Sequence, residues 1–258
     1  MCILFIAVNQ HPDYPLIIAA NRDEFHQRPT AISAYWDDAP QILAGKDLQA
    51  GGTWMGVSKL GRVAALTNIR APGREVDNAI TRGNLVLDWL KGTCEPSASE
   101  KSYRQEIGQQ RAFFNGYNLL FGQLDNLYVY NNFEDSFIHL EDGVFGLSND
   151  NLDSPWPKIM KGRDALANAC KETGPLDKNR LFDILADKEK ADDATLPQTG
   201  VPIEWERQLS SIFIKGETYG TRSSTLLTLD QHRNVNWEER VFNSSGDREN
   251  SQMFSFNI

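Results

Sequence analysis

A cysteine stands second in the chain, in Met1-Cys2-Ile3-Leu4-Phe5-Ile6, and a run of polar and charged side chains follows at Asn21-Arg22-Asp23-Glu24. Loss of Met1 would leave Cys2 as the first residue, carrying a thiol nucleophile and a free amine together. An α-amino group titrates near pH 7.7–8.0 when unperturbed, so it can act as the base that takes the thiol proton. That chemistry suits amide cleavage or acyl transfer. Asp23 or Glu24 could hold the ammonium form. Arg22 could lower the thiol's pKa or grip a ligand carboxylate in a forked contact. Asparagine amides could receive the developing oxyanion, and Asn68 and Asn149 each follow an apolar run that reads as a strand. Arg70 lies just beyond Asn68, and Arg222 sits in Gly220-Thr221-Arg222-Ser223-Ser224.

Each residue taken singly has a plainer explanation. A free cysteine is more often a small buried hydrophobe. Arg-Asp-Glu clusters are commonly surface ion pairs worth under roughly 1 kcal/mol. Asparagines cap turns. The functional reading rests on convergence, because several of these positions fall at expected strand ends.

The elements that would position them can be read from the pattern. Cys2–Val8 and Leu16–Asn21 are nearly continuous apolar runs, which predicts two strands buried on both faces, joined by a turn containing Pro12 and Pro15. Antiparallel pairing about Pro12 sets Cys2 beside Asn21–Glu24, with paired strands roughly 5 Å apart. Trp54–Ser58 and Val63–Asn68 predict a second hairpin. Helices are expected over Thr81–Leu90, from a capping box at Ser97-Ala98-Ser99-Glu100 toward Phe113, over Pro155–Lys171, and from an Asp177 cap to Ala186. Strands are expected around Tyr117–Phe121, Leu127–Tyr130, Phe137–Leu140, Val144–Leu147, Ser224–Leu229, Val235–Val241 and Met253–Phe256. The order is strands, helices, strands, helices, strands. Sheets stacked on each other with helices outside satisfy it. No repeat or linker divides the chain, which predicts one domain over residues 1–258.

Composition bounds the function. A formal net charge of −9 over 258 residues argues against a broad nucleic-acid surface. Three scattered cysteines, Cys2, Cys94 and Cys170, show no zinc or haem-attachment spacing and suit a reducing compartment. The four histidines form no metal-ligand pair, and no metal site is expected. No apolar run reaches membrane-spanning length. The expectation is a cytoplasmic protein without an integral membrane segment or a required cofactor.

Further motifs extend the pattern: Ala19-Ala20-Asn21-Arg22-Asp23-Glu24-Phe25, Arg28-Pro29, Gly51-Gly52-Thr53-Trp54-Met55-Gly56, Ala64-Ala65-Leu66-Thr67-Asn68, Asn115-Gly116-Tyr117-Asn118-Leu119, Phe145-Gly146-Leu147-Ser148-Asn149, Pro155-Trp156 and Tyr219-Gly220-Thr221-Arg222. With Met1-Cys2-Ile3, these resemble the NRDE-domain family over essentially the whole chain. More distantly, the layout is similar to the cysteine branch of the N-terminal nucleophile hydrolases, such as penicillin V acylase and bile salt hydrolase. The resemblance implies an α+β, four-layer αββα sandwich. It also implies a nucleophile at Cys2 assisted by Asn68 and Asn149, with Arg222 placed by order along the chain; Asp23 in the catalytic group, and Asn21, Arg22, Glu24 and Arg70 around the ligand, are expected from the residues themselves. In that branch the Arg and Asp stand three apart, whereas Arg22 and Asp23 are adjacent. Family-level function implies handling of a small anionic or apolar ligand, with haem or an acyl-coenzyme A or lipid as cargo. The alternatives are hydrolysis of linear C–N amide bonds by Cys2, or a non-catalytic part in secretion and Golgi organisation.

Overall fold

A computed structural model describes residues 2–92, 100–172 and 174–258. The chain divides into two compact units, Met1–Gln27 with Asp142–Asn257, and Arg28–Glu141 with Ile258.

The first unit is built on a six-stranded antiparallel sheet. Its strands are β1 (Cys2–His11), β2 (Tyr14–Phe25), β10 (Gly143–Leu147), β11 (Tyr219–Leu229), β12 (Asn234–Phe242) and β13 (Arg248–Asn257), in the order β10-β1-β2-β11-β12-β13. Both central strands are buried along nearly their whole apolar length, as the continuous hydrophobic runs predict. The turn between them falls at Pro12 and Asp13, inside the expected segment. Helices α3 (Pro157–Cys170) and α4 (Lys178–Leu185) lie on one face. There Ile3, Phe5, Ala7, Ile17 and Ala19 meet Trp156, Ile159 and Leu166 of α3 and Leu181, Phe182 and Leu185 of α4. Pro157 opens α3, where its missing N–H costs nothing. Asp177 caps α4, accepting from the Asn179 and Arg180 N–H groups at 2.9 and 3.3 Å. The short helix α5 (Ile203–Gln208) precedes β11 and was not legible beforehand.

The second unit carries a seven-stranded antiparallel sheet in simple chain order. It runs β3 (Thr30–Trp36), β4 (Ala39–Asp47), β5 (Met55–Ser58), β6 (Arg62–Asn68), β7 (Tyr117–Gln123), β8 (Asn126–Asn131) and β9 (Ser136–Leu140). Helix α1 (Gly83–Lys91) covers it through Leu85, Val86, Trp89 and Leu90. Helix α2 (Glu100–Gln110) adds Tyr103 and Ile107. The expected capping box lies outside the described residues except for Glu100, as does Cys94. Strands β3 and β4 went unread because their pairing slips between Ala31 and Ala34 and again between Tyr35 and Trp36, which breaks the two-residue alternation.

The seat of α3 is set by two glycines. A Cβ on Gly162 would sit 2.0 Å from the Phe5 ring, and one on Gly146 would sit 2.7 Å from Ile159 Cγ2. The helix can approach β1 and β10 this closely only without those methyls. Gly162→Ala gains about 1 kcal/mol of helix propensity but incurs an overpacking cost of about 1–3 kcal/mol. Urea unfolding should show a net loss of stability, and adding Phe5→Leu should recover part of it. An unchanged unfolding midpoint in Gly162→Ala alone would refute this account of how α3 is seated.

Candidate functional site

The site in the first unit is a consequence of register. Cys2 pairs with Arg22, and Ile3 with Asn21. On the other side of β1, Leu4 pairs with Leu147, so Asn149, two residues on, falls level with Cys2. Next to β2, Asp23 pairs with Thr221 and Arg22 with Ser223, leaving Arg222 as the extra residue of a bulge. The structure therefore gathers Cys2, Asn21, Arg22, Asp23, Glu24, Asn149 and Arg222 at one end of one sheet. Asn68 closes β6 opposite Tyr117 in the second unit, and Arg70 follows two residues later. The expected role of Asn68 rests on the resemblance, and that of Arg70 on its charge.

The pleat then sorts the group. Directly paired residues share a face, and successive residues alternate. Ile3 and Ala19 lie on the face covered by α3 and α4. Asn21 and Asp23 fall on that same face, whereas Cys2, Arg22 and Glu24 fall on the other. The hairpin thus brings the thiol, the guanidinium and the carboxylates to one strand end but on two sides of it. The main-chain nitrogen of Cys2 lies between them, in the plane of the sheet.

Each side has distinct chemistry. On the helix face, Asn21 is fully buried and its amide is engaged within the fold. Nδ2 donates to Leu185 O at 2.8 Å and Ile212 O at 2.9 Å, and Oδ1 accepts from Ser224 Oγ at 2.6 Å. Asp23 is 2 % exposed and accepts from Thr221 Oγ1 at 2.6 Å. Burial pushes its carboxyl up to about 6, against the opposing pull of Lys158, the Thr221 hydroxyl and Arg22. On the other face, Arg22 is 5 % exposed and its Nη1 is buried without a hydrogen bond. Glu24 is half-buried and accepts from the Phe25 N–H at 2.8 Å. Arg222 donates from Nη1 to Phe25 O and His26 O at 3.0 and 3.2 Å. Burial and the neighbouring Arg22 charge hold it below the usual arginine value.

Burial raises the Cys2 thiol's pKa and the Asp23 charge raises it further, while Arg22 and the Asp23 N–H pull it down. The net direction is upward, so at neutral pH Cys2 is a thiol and needs a base at the moment of attack. The Ser148 hydroxyl lies 3.1 Å from Cys2 O and 3.0 Å from Asn149 Oδ1, tying the end of β1 to the segment after β10.

Sequence reasoning missed Ser148, Thr221 and Lys158. The last did leave a signal. Lys158 stands in the first turn of α3, where a cation opposes the helix dipole and therefore calls for a compensating partner. It is 4 % exposed and donates from Nζ to Leu209 O at 3.0 Å.

Comparison with known proteins agrees with this architecture. Residues 1–244 match the family model Transport and Golgi organisation 2. The Mus musculus Transport and Golgi organization 2 homolog is 32% identical, over 93% of this chain and 92% of its own length. The Homo sapiens homolog is 31% identical over the same shares. Among solved structures, a mutant of conjugated bile acid hydrolase from Clostridium perfringens superimposes with a TM-score of 0.53 at 10% identity, covering 100% of this chain and 92% of that one. This likeness shows the fold, α+β of N-terminal nucleophile hydrolase type. Among the described residues, no helix is long and apolar enough to cross a membrane.

Asp23 makes stability depend on pH in a defined direction. An ordinary aspartate titrates near 3.9 when unfolded, below the value of about 6 in the fold. The native state therefore binds the extra proton, and its stabilisation is complete below about pH 4 and lost as pH rises through about 6. The difference corresponds to roughly 3 kcal/mol. Asp23→Asn stays neutral and keeps an acceptor for Thr221. Unfolding midpoints at pH 4.5 and 7.5 should differ less in this variant than in the parent, and an equal difference would refute the assignment.

Proposed function

Because the chain belongs to the Transport and Golgi organisation 2 family and has an N-terminal nucleophile hydrolase fold, we propose that it is a Cys2-dependent hydrolase of linear C–N amide bonds. The observation that supports this reading is the strand register, which pairs Cys2 with Arg22 and puts Asp23 one residue further along β2, on the opposite face from the thiol. Once processing leaves Cys2 as the first residue, its main-chain nitrogen is an amine. It takes the thiol proton as sulfur attacks the amide carbon, and a C–S bond forms. The oxyanion is received by the Asn149 amide. The C–N bond then breaks, and the proton passes from the ammonium to the departing amine. Water attacks the thioester carbon, with the amine again taking a proton, and the carboxylic acid leaves as the thiol is restored. Asp23 orients the ammonium form, and Asn21 holds the strand end that carries Asp23. Arg22, through its unbonded Nη1, takes a carboxylate or carbonyl oxygen of the substrate.

That same Nη1 favours a second reading, in which the site carries an anionic ligand such as haem or an acyl compound without cleaving it. Arg22 then receives the ligand's carboxylate, and Cys2 is not a nucleophile.

The two readings separate by experiment. The hydrolase reading expects an intact mass that begins at Cys2. It also expects a burst of p-nitrophenolate from p-nitrophenyl acetate, with one acetyl group added at Cys2 and lost in Cys2→Ala. A retained Met1 removes the proton acceptor and refutes it. The carrier reading expects saturable optical changes on titration with haemin, weakened about tenfold or more in Arg22→Ala; a response without saturation would refute it.

A further inference from the structure

Lys158 is a buried lysine that neither reading of the site uses. Its surroundings are set by one segment, Leu209–Ile214, which laces the helix face of the sheet together. Leu209 O accepts from Lys158 Nζ at 3.0 Å. Ile212 O accepts from Asn21 Nδ2 at 2.9 Å. Ile214 donates its N–H to Thr221 Oγ1 at 2.9 Å and accepts the Thr221 N–H at 2.8 Å. Thr221 Oγ1 in turn donates to Asp23. Lys158 and Asp23 thus reach the same strap from opposite ends, and the Lys158 charge is felt at the Asp23 carboxyl.

We propose that Lys158 is a positioning residue for the Cys2 nucleophile: its buried ammonium balances Asp23 on the helix face of the sheet, so that Asp23 orients the Cys2 amine without locking a proton onto it. The inference rests on the hydrolase reading above. An isolated carboxylate beside the amine would favour the ammonium and remove the base. A second cation whose field reaches that carboxylate opposes the effect, because like charges disfavour each other. Other charges face this couple. Arg22 lies across the sheet, and Lys161, Asp187, Glu189 and Lys190 line, with Lys158, a notch of about 100 Å³. Lys161 is ion-paired with Asp187 and Glu189. Those two carboxylates are therefore engaged with another lysine.

The test uses the full chain with p-nitrophenyl acetate as probe, following the Cys2-dependent burst from pH 5.5 to 9.5. In Lys158→Met the midpoint of the burst rate should move up by about one pH unit, with a rate about tenfold lower at pH 7. Lys158→Arg should restore the parent profile, which a purely structural role would not require. Superimposable profiles for parent and Lys158→Met overturn the inference and leave the nucleophile standing. A burst in the parent that is equal in Cys2→Ala overturns the nucleophile reading and this inference with it. Should Lys158→Met fail to fold, the parent decides. ¹⁵N NMR of its Lys158 side chain should show an ammonium up to at least pH 8, and a neutral amine at pH 7 would overturn the proposal.

Discussion

One ladder of backbone hydrogen bonds, running from β10 through β1 and β2 to β11, fixes everything chemical in the first unit. Because side chains alternate every residue, a slip of one position would send Cys2 to the helix face and Asp23 to the other. The burial of both central strands on both faces forbids that slip. Ile3 and Phe5 must meet α3 and α4, so Cys2 must point the opposite way. The bulge at Arg222 then absorbs one extra residue of β11 without disturbing the pairs Asp23–Thr221 and Arg22–Ser223 on either side of it.

A sheet end that buries a carboxylate, a guanidinium and a lysine has to compensate their desolvation locally. The compensation is uneven. Asp23 has the Thr221 hydroxyl and the field of Lys158, yet burial still dominates and its carboxyl remains well above the ordinary range. Arg22 keeps one N–H group buried and unbonded. Such an incomplete polar group costs stability, roughly 1–3 kcal/mol for a buried donor. Its position, on the thiol's face, matches the place where a ligand oxygen would complete it.

Much of the fold was legible because most elements obey a single period. The apolar runs of β1 and β2, the hairpin of β5 and β6, the strands of β7 to β10 and the Asp177 cap all appear where composition and turn residues put them. What escaped had broken periods or short length: β3 and β4 with their register slips, and the two-turn α5. The site was half legible. Pairing about Pro12 does set Cys2 against Arg22, but counting residues along a hairpin says nothing about faces until the partners of each face are known. Asn21 illustrates the gap. In the sequence it stands in the same polar run as Arg22 and Asp23. In the fold its amide bonds Leu185 O, Ile212 O and Ser224, contacts more than 160 positions away that no local pattern announces.

The chain starts its first strand in the interior of a sheet, flanked by β10 and β2, while β13 lies at the margin. Cys2 opens β1 level with Arg22 of β2 and, by extension of the β10 register, with Asn149. A fusion partner or affinity handle attached ahead of Cys2 would convert its nitrogen to an amide, which takes no proton. Handles for purification or immobilisation therefore belong beside the outer strand, where added chain can run into solvent.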